Sequence, residues 1–397
     1  MKVLIIDVNC QNSSSTGRIV YQTYQMLTKV GEECAVCYGR GKGIKNRDIY
    51  KFGIDIETVI HALLTRITGY TGCFSYFSTR RLIKFIERFK PDVIHVHELH
   101  AYFINVSTFL DYVAKNDIKA IFTLHCEFNY TGKCGSAVEC ELWRTGCQNC
   151  PNVHEYPCSW FFDKTNYMFK KKKAAFESLH NACITAVSPW LAERARQSFL
   201  GRNKVYTICN GVDTNVFCPK DVTRLRKELG VENQRIIVAV GAQIQNIDRG
   251  GAYIEQIASE LKDFVFVIVG VDGEVKRKEN IIYIPRINNP SLLAEYYSLG
   301  EYFLICSKRE TFSMPCAEAL CCGTPVVGFK CGAPETIFKQ PYAVFVEYGD
   351  VEQLKNVIKR GISIDASDVA EYGRSFSVDK MLNGYYELYK KSVCNDI

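Results

Sequence analysis

Apolar runs and amphipathic stretches alternate along almost the whole chain. Val3–Val8 is an apolar run interrupted by Asp7, suited to a central parallel strand. A polar loop (Asn9–Gly17) and a helical pattern over Arg18–Val30 follow, then a strand at Cys34–Tyr38. Helical periodicity covers Glu57–Ile67 and Thr79–Phe89, and strands are predicted at Asp92–Val96 and Ile118–Leu124. After a cysteine-rich insert (Cys126–Trp160) come a helix at Lys164–His180, a strand at Cys183–Val187, a helix at Trp190–Phe199 and a short strand at Val205–Ile208.

The rhythm breaks at Asn210-Gly211-Val212-Asp213 and Pro219, a turn-rich connector. It restarts with strands at Ile236–Val240, Phe264–Val269, Tyr302–Cys306, Pro325–Gly328 and Ala343–Val346. Helices are predicted at Gly251–Leu261, Ser291–Ser298, Pro315–Cys321, Val351–Arg360 and Val378–Ser392. Two successive strand–helix alternations imply two parallel-sheet α/β domains. The boundaries fall at 1–208, 209–375 and a terminal helix, 376–397, expected to cross back to the first domain. Ligands of such sheets bind beyond the carboxyl ends of the strands, so two such domains face to face would leave a ligand cleft between them.

At 397 residues with 47% hydrophobic positions, the chain can bury a core in each domain, and disorder is excluded for most of it. A net charge of +6 permits an anionic small molecule or surface without demanding nucleic acid. No apolar run approaches the roughly 18–20 residues that span a bilayer. Asp7 comes too early for a signal-peptide core, which points to the cytoplasm. The cysteines number 19, and without a secretion signal a disulfide framework is not expected. Most, such as Cys306, Cys316, Cys321 and Cys322, stand for small core residues.

The richest stretch for chemistry is Glu310–Glu318 and its continuation to Pro325. Ser313 and Met314 precede Pro315, which suits a first helical turn. Unpaired N–H groups at that helix start form an anion site fitted to a diphosphate. Glu318 is placed in the first turn, where its carboxylate accepts from both hydroxyls of a ribose, and Glu310 is placed near a further polyol. The competing reading is an acidic N-terminal turn that merely caps the helix. In the insert, Cys134-x5-Cys140-x6-Cys147-x2-Cys150 contains one tight pair of the kind that binds tetrahedral zinc; the alternative is four free thiols. Asp272-Gly273-Glu274 reads as a turn rather than a metal-binding pair. Lys170–Lys173 is either a solvated helix face or a contact for an anionic membrane.

Glu-x7-Glu, the following Cys-Gly-Thr-Pro-Val, and Gly332-Ala333-Pro334-Glu335 resemble glycosyltransferase family 4, retaining enzymes of GT-B fold that use sugar nucleotides. Other segments resemble that family in order along the chain: Ser14-Ser15-Thr16-Gly17-Arg18, Pro91-Asp92-Val93-Ile94-His95-Val96-His97, Thr123-Leu124-His125, Val187-Ser188, and Asn210-Gly211-Val212-Asp213 to Phe217-Cys218-Pro219. The resemblance implies an acceptor-binding N-terminal domain and a donor-binding C-terminal domain. It assigns catalysis to Glu310 and His125, and donor contacts to Gly17, Arg249, Ser313, Met314 and Glu318. His97 and His100 rank below His125. Arg249 takes the leaving-group role because the family's Gly-Arg reads Gly241-Ala242-Gln243 here. Cys126 replaces the Asp that usually follows the histidine.

The expected reaction moves a sugar from a nucleotide-diphosphate sugar to a glycan or lipid-linked saccharide in cell-surface polysaccharide synthesis. It needs no catalytic metal and no nucleic acid partner, and zinc, if bound, is structural. Peripheral contact with the inner face of the cytoplasmic membrane would follow from the lysine run. Two rivals are weighed. A Rossmann oxidoreductase, or another nucleotide-binding α/β enzyme of that kind, requires Gly-x-Gly-x-x-Gly after the first strand, where Asn9–Ser14 has no glycine. A zinc-containing nucleic-acid-binding protein explains the cysteines but not two large α/β domains.

Overall fold

A computed structural model describes residues 1–11, 14–137, 139–242, 244 and 250–394. The chain divides into two compact units, Met1–Ile208 with Leu382 onward, and Cys209–Met381. Each is built on one seven-stranded sheet.

The first unit contains β1 (Lys2–Asp7), β2 (Glu33–Tyr38), β3 (Ile49–Lys51), β4 (Val93–Val96), β5 (Ala120–Leu124), β6 (Ala182–Ala186) and β7 (Val205–Thr207). All pair in parallel, in the order β3-β2-β1-β4-β5-β6-β7. Strands β1, β4 and β5 are buried apart from Lys2 at the edge, which is why they read as continuous apolar runs. Connections run outward on both sides of the β1/β4 boundary, so the strand order reverses there and opens a crevice at the carboxyl ends. From Leu382 the terminal helix Val378–Val393 packs on this unit. Tyr389 and His95 Nδ1 share a 2.6 Å hydrogen bond, Tyr386 donates to Glu32, and Lys119 donates to the carbonyl of Val393.

The second unit contains β8 (Arg235–Val240), β9 (Phe264–Val271), β10 (Lys276–Lys278), β11 (Ile281–Pro285), β12 (Tyr302–Ile305), β13 (Val326–Phe329) and β14 (Ala343–Val346). The order is β10-β11-β9-β8-β12-β13-β14, parallel except for the β10–β11 hairpin. Its switch point lies between β8 and β12. One apolar cluster (Ile237, Phe266, Leu304, Val327, Leu354 and others) covers one face of the sheet, and a second (Ile236, Val238, Val267, Ile282) covers the other.

Some elements fall outside those the pattern predicts. The helix Val106–Lys115 is rich in Ser, Thr and aromatic residues, and starts because Asn105 caps the amide of Thr108. Strand β10, Lys-Arg-Lys, is wholly exposed and exists only through its partner β11. Asp272-Gly273-Glu274 is an exposed turn with Gly273 at φ +97°, as the sequence suggested. Cys306, Cys316, Cys321 and Cys322 are buried in the second unit.

Candidate functional site

In the second unit, β12 ends at Ile305 and the chain reaches the helix Met314–Cys321 through Glu310 and Ser313. The amide of Glu310 donates to the carbonyl of Cys331, and its carbonyl accepts from Ala333, so this segment is laced to the loop after β13. That loop is fixed in turn by Glu335, whose carboxylate accepts from the amides of Cys331 and Gly332. Ser313 sits in the left-handed region at φ +76°, a cost of about 1–3 kcal/mol for a non-glycine residue. Its hydroxyl is turned to Cys316 Sγ at 3.2 Å instead of capping the helix. The first-turn amides therefore have no side-chain cap, as an anion site requires. Met314 is half-buried.

Glu318 is not in the first turn, as the sequence reading had it. It is the fifth residue of the helix, 5% exposed, and Oε2 accepts from the Tyr297 hydroxyl at 2.8 Å. Burial first, and the Glu318 charge second, hold the Tyr297 phenol well above its ordinary pKa, so it stays a donor. A carboxylate so placed cannot be a helix-capping acid, which removes the competing reading of Glu318. Gly250 opens the helix Gly251–Glu260 at φ +78°, and a Cβ there would come within 2.1 Å of the Cys306 carbonyl. This close approach lets a second helix start next to the end of β12. Arg249 lies outside the described residues.

In the first unit the carboxyl ends of β1, β4 and β5 gather a polar cluster. His95 is locked between Tyr389 and Thr123, at 2.6 and 2.7 Å. His97 Nδ1 and His125 Nε2 share a 2.9 Å hydrogen bond with nearly parallel rings. Burial pushes His125 down to about 4 and His97 well below its ordinary value, so both are neutral and one donates to the other. Glu98 and His100 form an ion pair at 2.9 Å. Burial opposes both charges, but each partner overrides it: Glu98 lies below the usual carboxylate range and His100 above the usual imidazole range. Cys126 Sγ stands 3.8 Å from Glu98, and Glu98, His100 and Cys126 offer donor atoms within 4.8 Å of one another.

Sequence reasoning missed Asp7, the carboxylate that breaks the apolar run of β1. Burial and then the charge of Glu98 raise it to about 8, and Oδ1 is buried with no hydrogen-bond partner among the described residues. Asp7 also accepts from the side chain of Thr16, in the first turn of the helix Ser15–Lys29. Ser14 Oγ caps that helix at the amide of Gly17, 3.1 Å away. A Cβ on Gly17 would fall within 2.4 Å of Asn9 Oδ1 and 2.8 Å of the Gln11 amide, so only glycine fits the turn.

The insert places Cys134, Cys140, Cys147 and Cys150 around one small cavity, none of them in a disulfide. The lysine run is not one face. Lys170 and Lys173 are exposed and Lys171 is half-buried, but Lys172 is 1% exposed, with Nζ donating to the carbonyl of Phe128. Helical geometry turns the third lysine inward, against the insert, so the run is not a four-lysine membrane contact.

Residues 16–216 match the model of Glycosyltransferase Family 4 and residues 234–363 that of Glycosyl transferases group 1. The chain belongs to Glycosyltransferase Family 4, and it is a glycosyltransferase of two GT-B-type domains. An Escherichia coli K12 protein named as a colanic acid biosynthesis glycosyl transferase, WcaC, is 23% identical over 98% of this chain and 100% of its own length. The sucrose-phosphate synthase of Thermosynechococcus elongatus superposes with a TM-score of 0.68 at 16% identity, covering 98% of both chains. Anabaena HepE in complex with UDP-glucose gives 0.62 at 14% identity, covering 98% of this chain and all of that one.

Proposed function

We propose that this enzyme transfers a sugar from a nucleotide-diphosphate sugar to a hydroxyl of a saccharide acceptor with retention of configuration. The observation that carries the donor half is the uncapped helix start at Met314, with buried Glu318 held by Tyr297 in its second turn and Glu310 laced to Gly332 before it. The first-turn amides meet the diphosphate, Glu318 accepts from the ribose hydroxyls, and Glu310 faces the donor sugar. Arg249 adds a cation for the leaving group. The bond from the anomeric carbon to the β-phosphate oxygen breaks. The acceptor oxygen bonds to that carbon on the same face, and its proton passes to the departing phosphate oxygen. His125, neutral and oriented by His97, hydrogen-bonds a sugar hydroxyl. Protonated Asp7, near the Gly17 turn, offers its unpartnered oxygen to another. That HepE was solved with UDP-glucose supports a nucleotide-sugar donor, and the WcaC name supports polysaccharide synthesis.

A specific feature favours a lipid-linked acceptor. The helix Asp55–Thr68 is amphipathic in the inverse sense: it buries Thr58, His61 and Thr65, and exposes Ile56, Val59, Ile60, Leu63 and Ile67. Phe77 is 68% exposed beside it, its amide held by Glu57. Exposed Trp160, Phe161 and Phe162 adjoin the helix end, with the Trp160 amide bonded to the Arg66 carbonyl. Lys164 lies over the Phe162 ring, and Lys170 and Lys173 are exposed on the next helix. Apolar and aromatic side chains rimmed by cations suit the interface of an anionic bilayer. Among the described residues no helix is long and apolar enough to cross a membrane, so the contact is peripheral.

The deciding experiment incubates the protein with uridine, guanosine and adenosine diphosphate sugars. One nucleoside diphosphate should raise thermal stability, by about 2.7 kcal/mol at 100 times its dissociation constant, and its sugar should be transferred with the donor's anomeric configuration kept, read by NMR. An inverted product, or no stabilisation by any nucleoside diphosphate, overturns the reading.

A further inference from the structure

Two lysines are buried against the cysteine insert with no carboxylate at ion-pair distance among the described residues. Lys172 is 1% exposed, 3.8 Å from the centre of the Phe128 ring, and donates to the Phe128 carbonyl. Lys133 is 2% exposed and spends its three donors on the carbonyls of Val153, Glu155 and Pro157, at 2.7–2.9 Å. The groups that surround both are thiols. Cys134 and Cys147, with Cys126 and Cys73, lie in the field of Lys172, and Cys134, Cys150 and Cys158, with Asp163, lie in that of Lys133. A buried ammonium without an anion is costly. Near Cys134, Cys147 and Cys150 the two ammonium groups are placed to offset negative charge on the sulfurs.

The sulfurs are set up to carry it. The Gly132 amide donates to Cys147 Sγ at 3.1 Å, and the Asn152 amide to the sulfur of Cys150. Cys134 and Cys150 share a hydrogen bond. The turn that brings Cys147 and Cys150 round holds Cys147 at φ +53° and Asn149 at φ +50°. It is clamped from the next segment: Asp163 accepts from the Cys150 amide, Thr165 donates to the Cys147 carbonyl, and Asn166 donates to the Gly146 carbonyl. A strained turn over-determined in this way is characteristic of a functional site.

We propose that Cys134, Cys140, Cys147 and Cys150 bind one zinc ion as a tetrathiolate, with Lys133 and Lys172 as its built-in counter-charges. Four thiols bind Zn²⁺ and release four protons, leaving a site of charge −2 that the two ammonium groups neutralise. No three of these sulfurs lie within 4.8 Å of one another in this structure, so loading draws the sulfurs together. The inference is independent of the sugar donor and acceptor, because metal content is read without assaying transfer.

The test uses the full chain, expressed with added zinc and purified without chelator or a metal-affinity step. Elemental analysis should give about one zinc per chain. Cobalt exchanged into the site should show tetrahedral ligand-field bands and thiolate-to-cobalt charge transfer. Cys150→Ser should lose the metal and Cys158→Ser should keep it. Lys172→Met removes charge but keeps length, and should weaken zinc about 10–100-fold in chelator competition. Wild-type protein with no zinc, or peptide mapping that finds Cys134 and Cys150 joined as a disulfide, overturns the proposal even if the variants fail to fold. Unchanged zinc affinity in Lys172→Met overturns the counter-charge role.

Discussion

The Tyr297 hydroxyl donates to Glu318 Oε2 at 2.8 Å, joining the helix Pro290–Leu299 to the helix Met314–Cys321 through two buried side chains. The bond fixes the carboxylate in one orientation. Glu318→Ala should weaken nucleoside diphosphate binding by about 1.5–3 kcal/mol, the worth of hydrogen bonds to a charged group. Tyr297→Phe should cost about 1.5–3 kcal/mol of stability, the same worth of a bond to a charged group, and less affinity than the alanine variant. Calorimetry showing equal affinity in wild type and Glu318→Ala removes Glu318 from the donor site.

Glu310 is held by its backbone, with amide and carbonyl both bonded to the loop after β13, and glutamine keeps the size of its side chain and an acceptor oxygen. Glu310→Gln should bind nucleoside diphosphate about normally and transfer sugar far more slowly, because the carboxylate acts on charge that develops at the anomeric carbon. Wild-type turnover in this variant would make Glu310 a structural acid.

Acid should destabilise the first unit before its carboxylates titrate. Burial holds His61 and His125 down to about 4, His95 to about 3 and His97 well below its ordinary value. Each is neutral in the fold and takes a proton near 6.5 when unfolded. Between about pH 4 and 6.5 the unfolded chain thus binds more protons, and stability falls as pH falls. Asp7 opposes this, because it keeps its proton up to about 8 in the fold and loses it near 3.9 when unfolded. Four histidines outweigh one aspartate, so the melting temperature should drop steadily from pH 6.5 to 4.5. A flat profile by circular dichroism would mean that these imidazoles titrate normally.

Phe77 and Phe161 are 68% and 69% exposed, so replacing them with Ser should not disturb the core. The double variant should bind vesicles of anionic lipid about a hundredfold or more weakly, since each side chain loses roughly 1.5–3 kcal/mol of apolar burial on docking. Binding of the parent should also weaken as salt rises. Cosedimentation with no difference between parent and variant would show that this face meets something other than lipid.

Gly17 is hemmed in by Asn9, Ser14 and Gln11. Gly17→Ala should cost about 1–3 kcal/mol in thermal unfolding, the usual penalty for overpacking, and should impair transfer because the turn beside Asp7 must shift. Unchanged stability and activity would mean that the loop relaxes freely.

Local patterns carried much of this protein. Unbroken apolar strands such as β9 require burial on both faces, so two parallel α/β sheets were legible, as was the Ser313-Met314-Pro315 helix start, because caps and prolines act over a few residues. What depends on which face of an element meets which neighbour was not. Glu318 looked like a first-turn acid until Tyr297, 21 positions away in the chain, proved to be its partner. Asp7 was only an interruption in a strand until β4 brought Glu98 beside it. Lys170–Lys173 looked like one charged patch, yet helical geometry points Lys172 at the cysteine insert. The helix Asp55–Thr68 had a plain amphipathic period, but period alone cannot say that its polar side faces inward. Composition and spacing set the elements and their order. Long-range packing set the environment of each charge, and with it the chemistry each can perform.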